Sequence, residues 1–452
     1  MDELIANSLA GSVGYVWPFF EKSGFDNQVY AGHLAQSDDR FKVSVLAPSP
    51  IGVGLGPLEG QKRIPSSLLA VSEVHGTLAF DITRIGGTTN IGGVKASSRD
   101  YYCRAIAVGF PADELKSSRM YEMAAYFPGL EHWSRIRGSK SEVKHDEYHR
   151  PTVINTTIRS APEQVTRFSK YQTLVVSTHF EVTGPRDDRR AYTPLSISSI
   201  TESAVDWRFH MNVLLSIQNL ISLCWDGFVR ADGGYVRLDL SEPEETSNAK
   251  LWSQRLMEIP AAVQPAPPST TFPLVRYETL GGVDGLRRWV RLAEAHPRAV
   301  GPITSRNRVA RSPVVESVLH DICVAIEYWV NYHKSIKRSW AKPRSQRDSQ
   351  AERLARWVGN EFGEFVGDPQ KWARSLWQHY GDLKHQPTLS YDPYELYLLA
   401  DSARILLTCA LLNRVAGTKR PTRALCRATQ NHDTGYDVRD LLDTQPNPAL
   451  EI

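Results

Sequence analysis

The apolar pattern of this chain changes period near residue 205, and that change limits the fold more than any other feature. From about residue 27 to 200 the apolar residues come in short runs: QVYAGHLA, FKVSVLAP, VSEVHGTLAFDI, YYCRAIAVGF, YEMAAYF, TVINTTI and YQTLVVSTHFEV. These runs are rich in Val, Thr, Tyr and Phe and are separated by turn formers. Successive side chains on a strand point to opposite faces, so such alternation predicts antiparallel sheet, packed as a sandwich or open barrel. At ESAVDWRFHMNVLLSIQNLISLCW the step lengthens. Trp207, Met211, Leu214, Ile217, Ile221 and Cys224 recur every three or four residues, which predicts a helix with one buried face.

One more strand-like stretch, GGYVRLDL, precedes PAAVQPAPPSTTFP, whose prolines cannot continue a helix and predict a stiff connector. Beyond it the periodicity is helical. VESVLHDICVAIEYWVNYH puts Val315, Leu319, Ile322, Ile326 and Trp329 on one face, and AERLARWVGNEFGEFV reads as a second helix carrying Leu354, Trp357 and Phe362. DPQKWARSLWQHYGDLKH and DPYELYLLADSARILLTCALLNRVAG each open on Asp-Pro, an N-cap followed by a first-turn proline. The second adds Glu395 in capping-box position and Gly417 as a stop. Four helices on short loops predict a bundle. The fold class expected is therefore α+β: a β-rich, sandwich-like region over 1–240, a connector over 241–275, a helical bundle over 276–420, and a polar, peripheral or mobile tail over 421–452.

Composition removes several function classes. The net charge of the 452 residues is only +3, so nothing global marks a nucleic-acid binder. No apolar run approaches the roughly 18 residues of a membrane span, and the acidic start MDELIANSLAGSVG is unlike a basic secretory leader. A cytoplasmic location with no membrane contact is expected. Cys103, Cys224, Cys323, Cys409 and Cys426 form no CxxC pair. Buried reduced thiols are expected rather than disulfides or a zinc site, and no cofactor or metal is implied.

Three stretches imitate known chemistry. IGVGLGPLEGQKR, residues 51–63, is Gly-rich but lacks the strand-loop-helix setting and the Gly-Lys-Ser/Thr of a phosphate cradle, so a surface loop is expected. HDEYH spaces His145 and His149 as helical zinc ligands would be. Asp146, however, stands where the catalytic Glu belongs, and the surrounding segment has no apolar face, so a solvated loop is expected there too. RNRVAR, residues 306–311, reads as a basic lead-in to the bundle.

KSIKRSWAKPRSQR, residues 334–347, carries Lys334, Lys337, Arg338, Lys342, Arg344 and Arg347 without an acid. Residues 301–420 hold 18 Lys and Arg against 12 Asp and Glu, so the bundle is the basic part of the chain and could engage a polyanion. A solvated face is the alternative. At 100° per residue, Trp372, Leu376, Tyr380 and Leu383 share one flank of their helix, while Arg374, Gln378, Asp382 and His385 form a polar stripe. His385 closes that helix. An imidazole in such a place can act as general base or acid, or it can simply cap the negative end of the helix dipole.

A helix ending in this histidine, a Pro-containing loop and the long DPYELYLLADSARILLTCALLNRVAG helix together resemble a HEPN domain. The parts ahead of it, the β-rich strands, GLEHW, the SIQNLISL helix and the TFPLVRYETLGGVDGLRRWVRL lead-in, resemble ApeA-type antiphage defence proteins over about residues 10–417. The resemblance implies metal-independent RNA cleavage by a HEPN homodimer, with the β-rich region acting as a sensor that answers an unidentified phage trigger. A toxic nuclease of this kind suggests tRNA as the RNA. His385 matches the histidine of the family motif. The arginine expected ahead of it, with four to six residues between, does not match, because those positions hold Gln378, His379 and Tyr380, followed by Gly381. Arg374 lies eleven residues from His385, roughly 16 Å along a helix, too far to hold the same phosphate.

Candidate catalytic residues are therefore His385 with Lys384, Asp382 and His379, a partner-subunit arginine being another source of positive charge. Candidate RNA-binding residues are Lys334, Lys337, Arg338 and Arg374. Three accounts of the missing arginine stay open: a variant nuclease, a degenerate HEPN domain that binds RNA or a partner without cutting, and a structural protein whose bundle only dimerises. Trp329, Trp340, Trp357, Trp372 and Trp377 could serve a dimer interface or the core.

Overall fold

A computed structural model describes residues 10–20, 24–25, 29–37, 40–48, 65–71, 76–85, 89–90, 96–185, 189–241, 248–260, 272–308, 314–346, 348–386 and 391–444. The Gly-rich stretch 51–63, most of the Pro-rich connector and Arg347 lie outside these residues. The chain packs as two units. One comprises residues 1–128, 136–215 and 230–258, the other 129–135, 216–229 and 259–452.

The first unit is built on one antiparallel sheet. Strands β1 (Ala10–Phe20), β2 (Tyr30–Ser37), β3 (Arg40–Pro48), β4 (Ser67–Val71), β5 (Gly76–Ile85) and β6 (Ala96–Phe110) close into a six-stranded barrel in the order β6-β3-β2-β1-β4-β5, with β5 returning to β6. The length of β6 makes this possible. Its first half pairs with β3, Cys103 opposite Phe41, while β5 runs along the other edge with Leu78 opposite Ala107. Beyond Cys103 the β3 edge is taken over by a later strand, with Leu251 opposite Ala107. From there an open sheet continues: β12 (Asn248–Ser253), β11 (Gly233–Leu240), β7 (Leu115–Phe127), β10 (Leu195–Val205), β9 (Gln172–Thr178) and β8 (Gln164–Arg167).

Of the sandwich and barrel arrangements expected, the β-rich region takes the barrel, closed and running into an open sheet. The alternating pattern is the same for both, because it records which face is buried and not how far the sheet curls. Residues 248–258, expected in the connector, form β12 and a helical turn of this unit. HDEYH is the turn of an exposed hairpin, Ser139–His145 with Pro151–Ile158, in which Asp146 Oδ1 accepts from Tyr148 N and Arg150 N at 2.9 and 2.8 Å.

Helix α1 (Trp207–Trp225) carries the six apolar residues expected on its inner face, all buried. In its first half His210 is fully buried between Ser199 Oγ at 2.9 Å and the Met120 carbonyl at 3.1 Å. Burial pushes its imidazole down to about 4. The unfolded chain binds this proton near 6.5, so between those values it holds more protons than the fold, and stability falls as pH drops from about 6.5 to 4. At about 1.4 kcal/mol per pKa unit the loss reaches on the order of 3 kcal/mol. Urea unfolding across this range should show the loss, and His210→Gln should reduce its slope; an unchanged slope would mean that other groups carry it.

The second unit is helical: α2 (Gly282–Ala295), α3 (Pro297–Ser305), α4 (Val315–Ser335), α5 (Gln350–Val358), α6 (Asn360–Val366), α7 (Pro369–His385), α8 (Pro393–Ala416), α9 (Arg420–Cys426) and α10 (Thr429–Thr444). Helix α8 is covered on nearly every side, as its long apolar run demands. It starts at Asp392, whose carboxylate accepts from Tyr394 N at 2.9 Å, and stops at Gly417 with φ 70°. AERLARWVGNEFGEFV is two helices and not one, because Gly359 at φ 127° and ψ −179° takes the backbone out of the helix.

The C-terminal tail is the clearest correction. Through Thr444 it is folded as α9 and α10, with Thr422, Leu425, Asn431, Val438 and Leu442 buried. Polar pairs fasten it where apolar residues are few: Asn413 Nδ2 donates to Thr422 Oγ1 at 2.7 Å, and Asn431 Nδ2 to the Leu425 carbonyl at 2.9 Å. RNRVAR is likewise no mere lead-in. Arg306 pairs with buried Asp401 at 3.2 Å, and Arg308 donates to Gln218 Oε1 at 2.6 Å. Four of the five cysteines are buried free thiols, and burial pushes Cys224 up to about 12.

Candidate nuclease site at the end of helix α7

Helix α7 begins at Asp368, whose carboxylate accepts from Gln370 N and Lys371 N at 2.8 and 3.0 Å, with Pro369 in the first turn. Trp372, Leu376 and Tyr380 are buried as the periodicity requires, and Trp372 donates its indole N–H to Ser402 Oγ at 2.9 Å. Leu383 is only half-buried. Arg374, Gln378 and His385 are exposed, so the polar stripe faces solvent.

Among the candidate catalytic residues the structure separates two kinds. His379 is buried: Nδ1 meets the Ser375 carbonyl at 2.8 Å, and Nε2 lies 3.1 Å from Glu395 Oε1 without being aligned for a hydrogen bond. The Tyr391 ring packs on it at 4.3 Å. Asp382 accepts from the Tyr391 hydroxyl, and burial, followed by this carboxylate, pushes that phenol up to about 12. These two residues fasten the start of α8 to α7, His379 from a buried position and Asp382 from a half-buried one. Glu395, expected to close a capping box, is the group that faces His379.

Lys384 and His385 stand outside this knot. His385 is exposed at the last position of α7, and among the described residues its imidazole makes no hydrogen bond, ion pair or ring contact. Lys384 Nζ sits 5.7 Å from the Tyr380 ring. Tyr380, in the slot of the absent arginine, donates towards Glu327 Oε2 at 3.5 Å and has the exposed His320 ring 5.7 Å away. Sequence reading missed His320. It lies on α4, remote in sequence, and only the packing of α4 on α7 brings it to Tyr380. The arginine slot is thus flanked by two exposed basic side chains from different helices.

The basic loop is exposed at Lys334 and Lys337. Lys337 adopts φ 59° and closes α4, its N–H reaching the Lys334 carbonyl at 3.0 Å. Arg338 turns away from this run into a cavity. Of the five bundle tryptophans, Trp329 and Trp372 are buried, Trp377 is half-buried, and Trp340 and Trp357 stack on each other with centroids 4.8 Å apart.

A β-rich unit followed by a helical unit with a histidine-terminated helix is the layout of a two-part HEPN protein. The sequence matches ApeA N-terminal domain 1 over residues 13–289 and Apea-like HEPN over 321–421. The chain belongs to the ApeA family, with its N-terminal domain followed by its HEPN domain. No curated protein and no solved structure matches it. The two domains in this order indicate antiphage defence with a HEPN domain of the RNase type. Among the described residues no helix is long and apolar enough to cross a membrane.

Proposed function

We propose that the HEPN unit is an endoribonuclease that needs no metal and is released when the ApeA domain meets a phage-derived trigger. The observation that carries this reading is His385, exposed at the last position of α7 and next in sequence to Lys384, whose Nζ lies 5.7 Å from the Tyr380 ring that His320 also approaches. An imidazole there can take the proton of a ribose 2′-hydroxyl. The 2′-oxygen then attacks the adjacent phosphorus and the bond to the 5′-oxygen breaks, leaving a 2′,3′-cyclic phosphate. The departing oxygen takes a proton from a second imidazole, which a homodimer supplies as the other copy of His385. Lys384 and His320 offer positive charge to the crowded phosphorane in place of the arginine. Lys334, Lys337 and Arg374, exposed on the same basic unit, would hold RNA by its phosphates, tRNA being the first substrate to try.

A second reading has its own observation. Tyr380 is buried and fills the arginine slot with an uncharged ring, which is what a HEPN domain that binds RNA without cutting would show. Purified protein incubated with total RNA in EDTA, alongside light scattering, separates the two. Cleavage to cyclic-phosphate ends by a dimer is expected; RNA bound but left intact under every trigger condition would favour the binding module.

A further inference from the structure

The open sheet of the β-rich unit bears a cavity of about 580 Å³ on one face. That volume is within the range of small-molecule sites, roughly 300–1,000 Å³. The strand register fixes which face it is. Ser177 stands opposite Ser196, Ser196 opposite Tyr126 and Tyr126 opposite Gly233, so these four positions face one side of β9, β10, β7 and β11. Ser199, which His210 of α1 reaches, lies three residues on from Ser196 and faces the other side. The cavity therefore opens on the face opposite the one α1 packs against. Its floor is low because Ser177, Ser196 and Gly233 bring small side chains or none. One wall comes from a pair of short strands, Glu181–Thr183 and Arg190–Tyr192, with Glu181 opposite Tyr192.

The lining joins aromatic rings to carboxylates. Tyr126, Tyr192 and Tyr235 are half-buried and Phe180 is exposed. The Tyr126 and Tyr235 rings are 6.2 Å apart, and His179 stacks on Tyr126 at 4.2 Å with an interplanar angle of 12°. Glu181 is exposed, and among the described residues its carboxylate has no ion-pair partner. Asp232 pairs with Arg230 at 3.3 Å. Lys250 is the one lysine or arginine in the lining, and it has an interaction of its own. Burial holds His179 below the ordinary imidazole range, so it adds no positive charge at neutral pH. The three phenols are held above the ordinary tyrosine range by burial, and their neighbours push the same way: Tyr235 and Glu181 on Tyr126, Asp232 and Glu181 on Tyr192, Glu122 on Tyr235. The field in the cavity is negative. Aromatic faces carry a negative quadrupole and attract a cation placed over them, more strongly once water is displaced. An anion or a neutral ring would leave Glu181 without a counter-charge.

We infer that this cavity binds an organic cation, a guanidinium or alkylammonium group seated among the Tyr126, Tyr192 and Tyr235 rings with Glu181 as its counter-charge. The site belongs to the β-rich unit, and the inference stands whether or not His385 cleaves RNA. The same group could come from a free amine or from an arginine or lysine side chain of another protein.

Calorimetric titration of the full chain with agmatine, N-acetylarginine amide and the uncharged citrulline counterpart of the latter tests it. Agmatine carries both a guanidinium and an alkylammonium group. One or both cations should bind at micromolar to millimolar concentration, with the citrulline compound at least tenfold weaker than N-acetylarginine amide. Glu181→Gln, at an exposed position, should keep the wild-type melting temperature and weaken cation binding at least tenfold, and Glu181→Lys should abolish it. Tyr192→Phe keeps the ring and should bind as the wild type does, whereas Tyr192→Leu should bind more weakly. An alanine peptide with one internal arginine that binds at least tenfold more tightly than agmatine would assign the cation to a protein side chain; any weaker binding of the peptide would assign it to a free amine. No cation binding at millimolar concentration, citrulline compound and N-acetylarginine amide binding alike, or unchanged binding in Glu181→Lys would overturn the proposal.

Discussion

His385→Ala should lower RNA cleavage by about two to four orders of magnitude, the usual contribution of a positioned acid or base, while leaving the fold intact. The side chain is exposed and makes no hydrogen bond, ion pair or ring contact among the described residues, so a change in activity reports chemistry and not packing. Lys384→Ala and His320→Ala, assayed separately, divide the rest of the site. If one of them stands in for the arginine, its loss should cost about two to three orders of magnitude, as for other single electrostatic stabilisers of a transition state. His379→Ala should instead act mainly on stability, since His379 is buried against Tyr391 and Glu395. Tyr380→Arg is the counter-test. Cleavage much faster than wild type would show that the natural site lacks its cation. If His385→Ala protects cells against phage as well as the wild type and cuts RNA as fast, the nuclease reading is lost.

Arg404→Ala should destabilise the helical unit by about 3–5 kcal/mol, the cost of removing one partner from a buried ion pair. Arg404 is buried on α8, with Nε 2.9 Å from Asp401 Oδ1 and Nη1 3.7 Å from Asp226. Burial alone would push the guanidinium down, but the two carboxylates outweigh it and hold it above the ordinary arginine range. For Asp401 the balance is the mirror image. Burial pushes the carboxyl up, and Arg404 and then Arg306 pull it below the usual carboxylate range. Asp401 also accepts from Thr434 Oγ1 at 3.2 Å, so the network ties α10 to the central helix. Chemical unfolding of Arg404→Ala measures the loss. A change under about 1 kcal/mol would mean that water and Arg306 compensate, and that the buried network contributes little to holding the tail.

The tail shows why local pattern was a poor guide there. ALCRATQNHDTGYDVRDLLDT has too few apolar residues to advertise a helical face. Its anchors are an asparagine on a backbone carbonyl, a threonine on Asp401, and Gly435 against the Phe365 ring, where a Cβ would lie 2.6 Å from a ring carbon. None of these has a sequence period. Gly359 is the opposite case: one residue, readable as a breaker, split a helix that the apolar pattern on either side joined.

The α+β order, the caps at Asp368, Asp392 and Gly417, the buried faces of α1 and α7, and the exposed histidine closing α7 follow from the sequence alone. They depend on the local geometry of strand and helix, with periods of two and 3.6 and one residue at each helix end. Tertiary structure decided the closure of the barrel through β6, the burial of His379 and the pairing of Asp382 with Tyr391, the approach of His320 to Tyr380, and the gathering of Arg338, Arg414 and His333 around one cavity. Each of these joins residues whose separation along the chain carries no information about their separation in space, because only the packing of whole elements against one another brings them together.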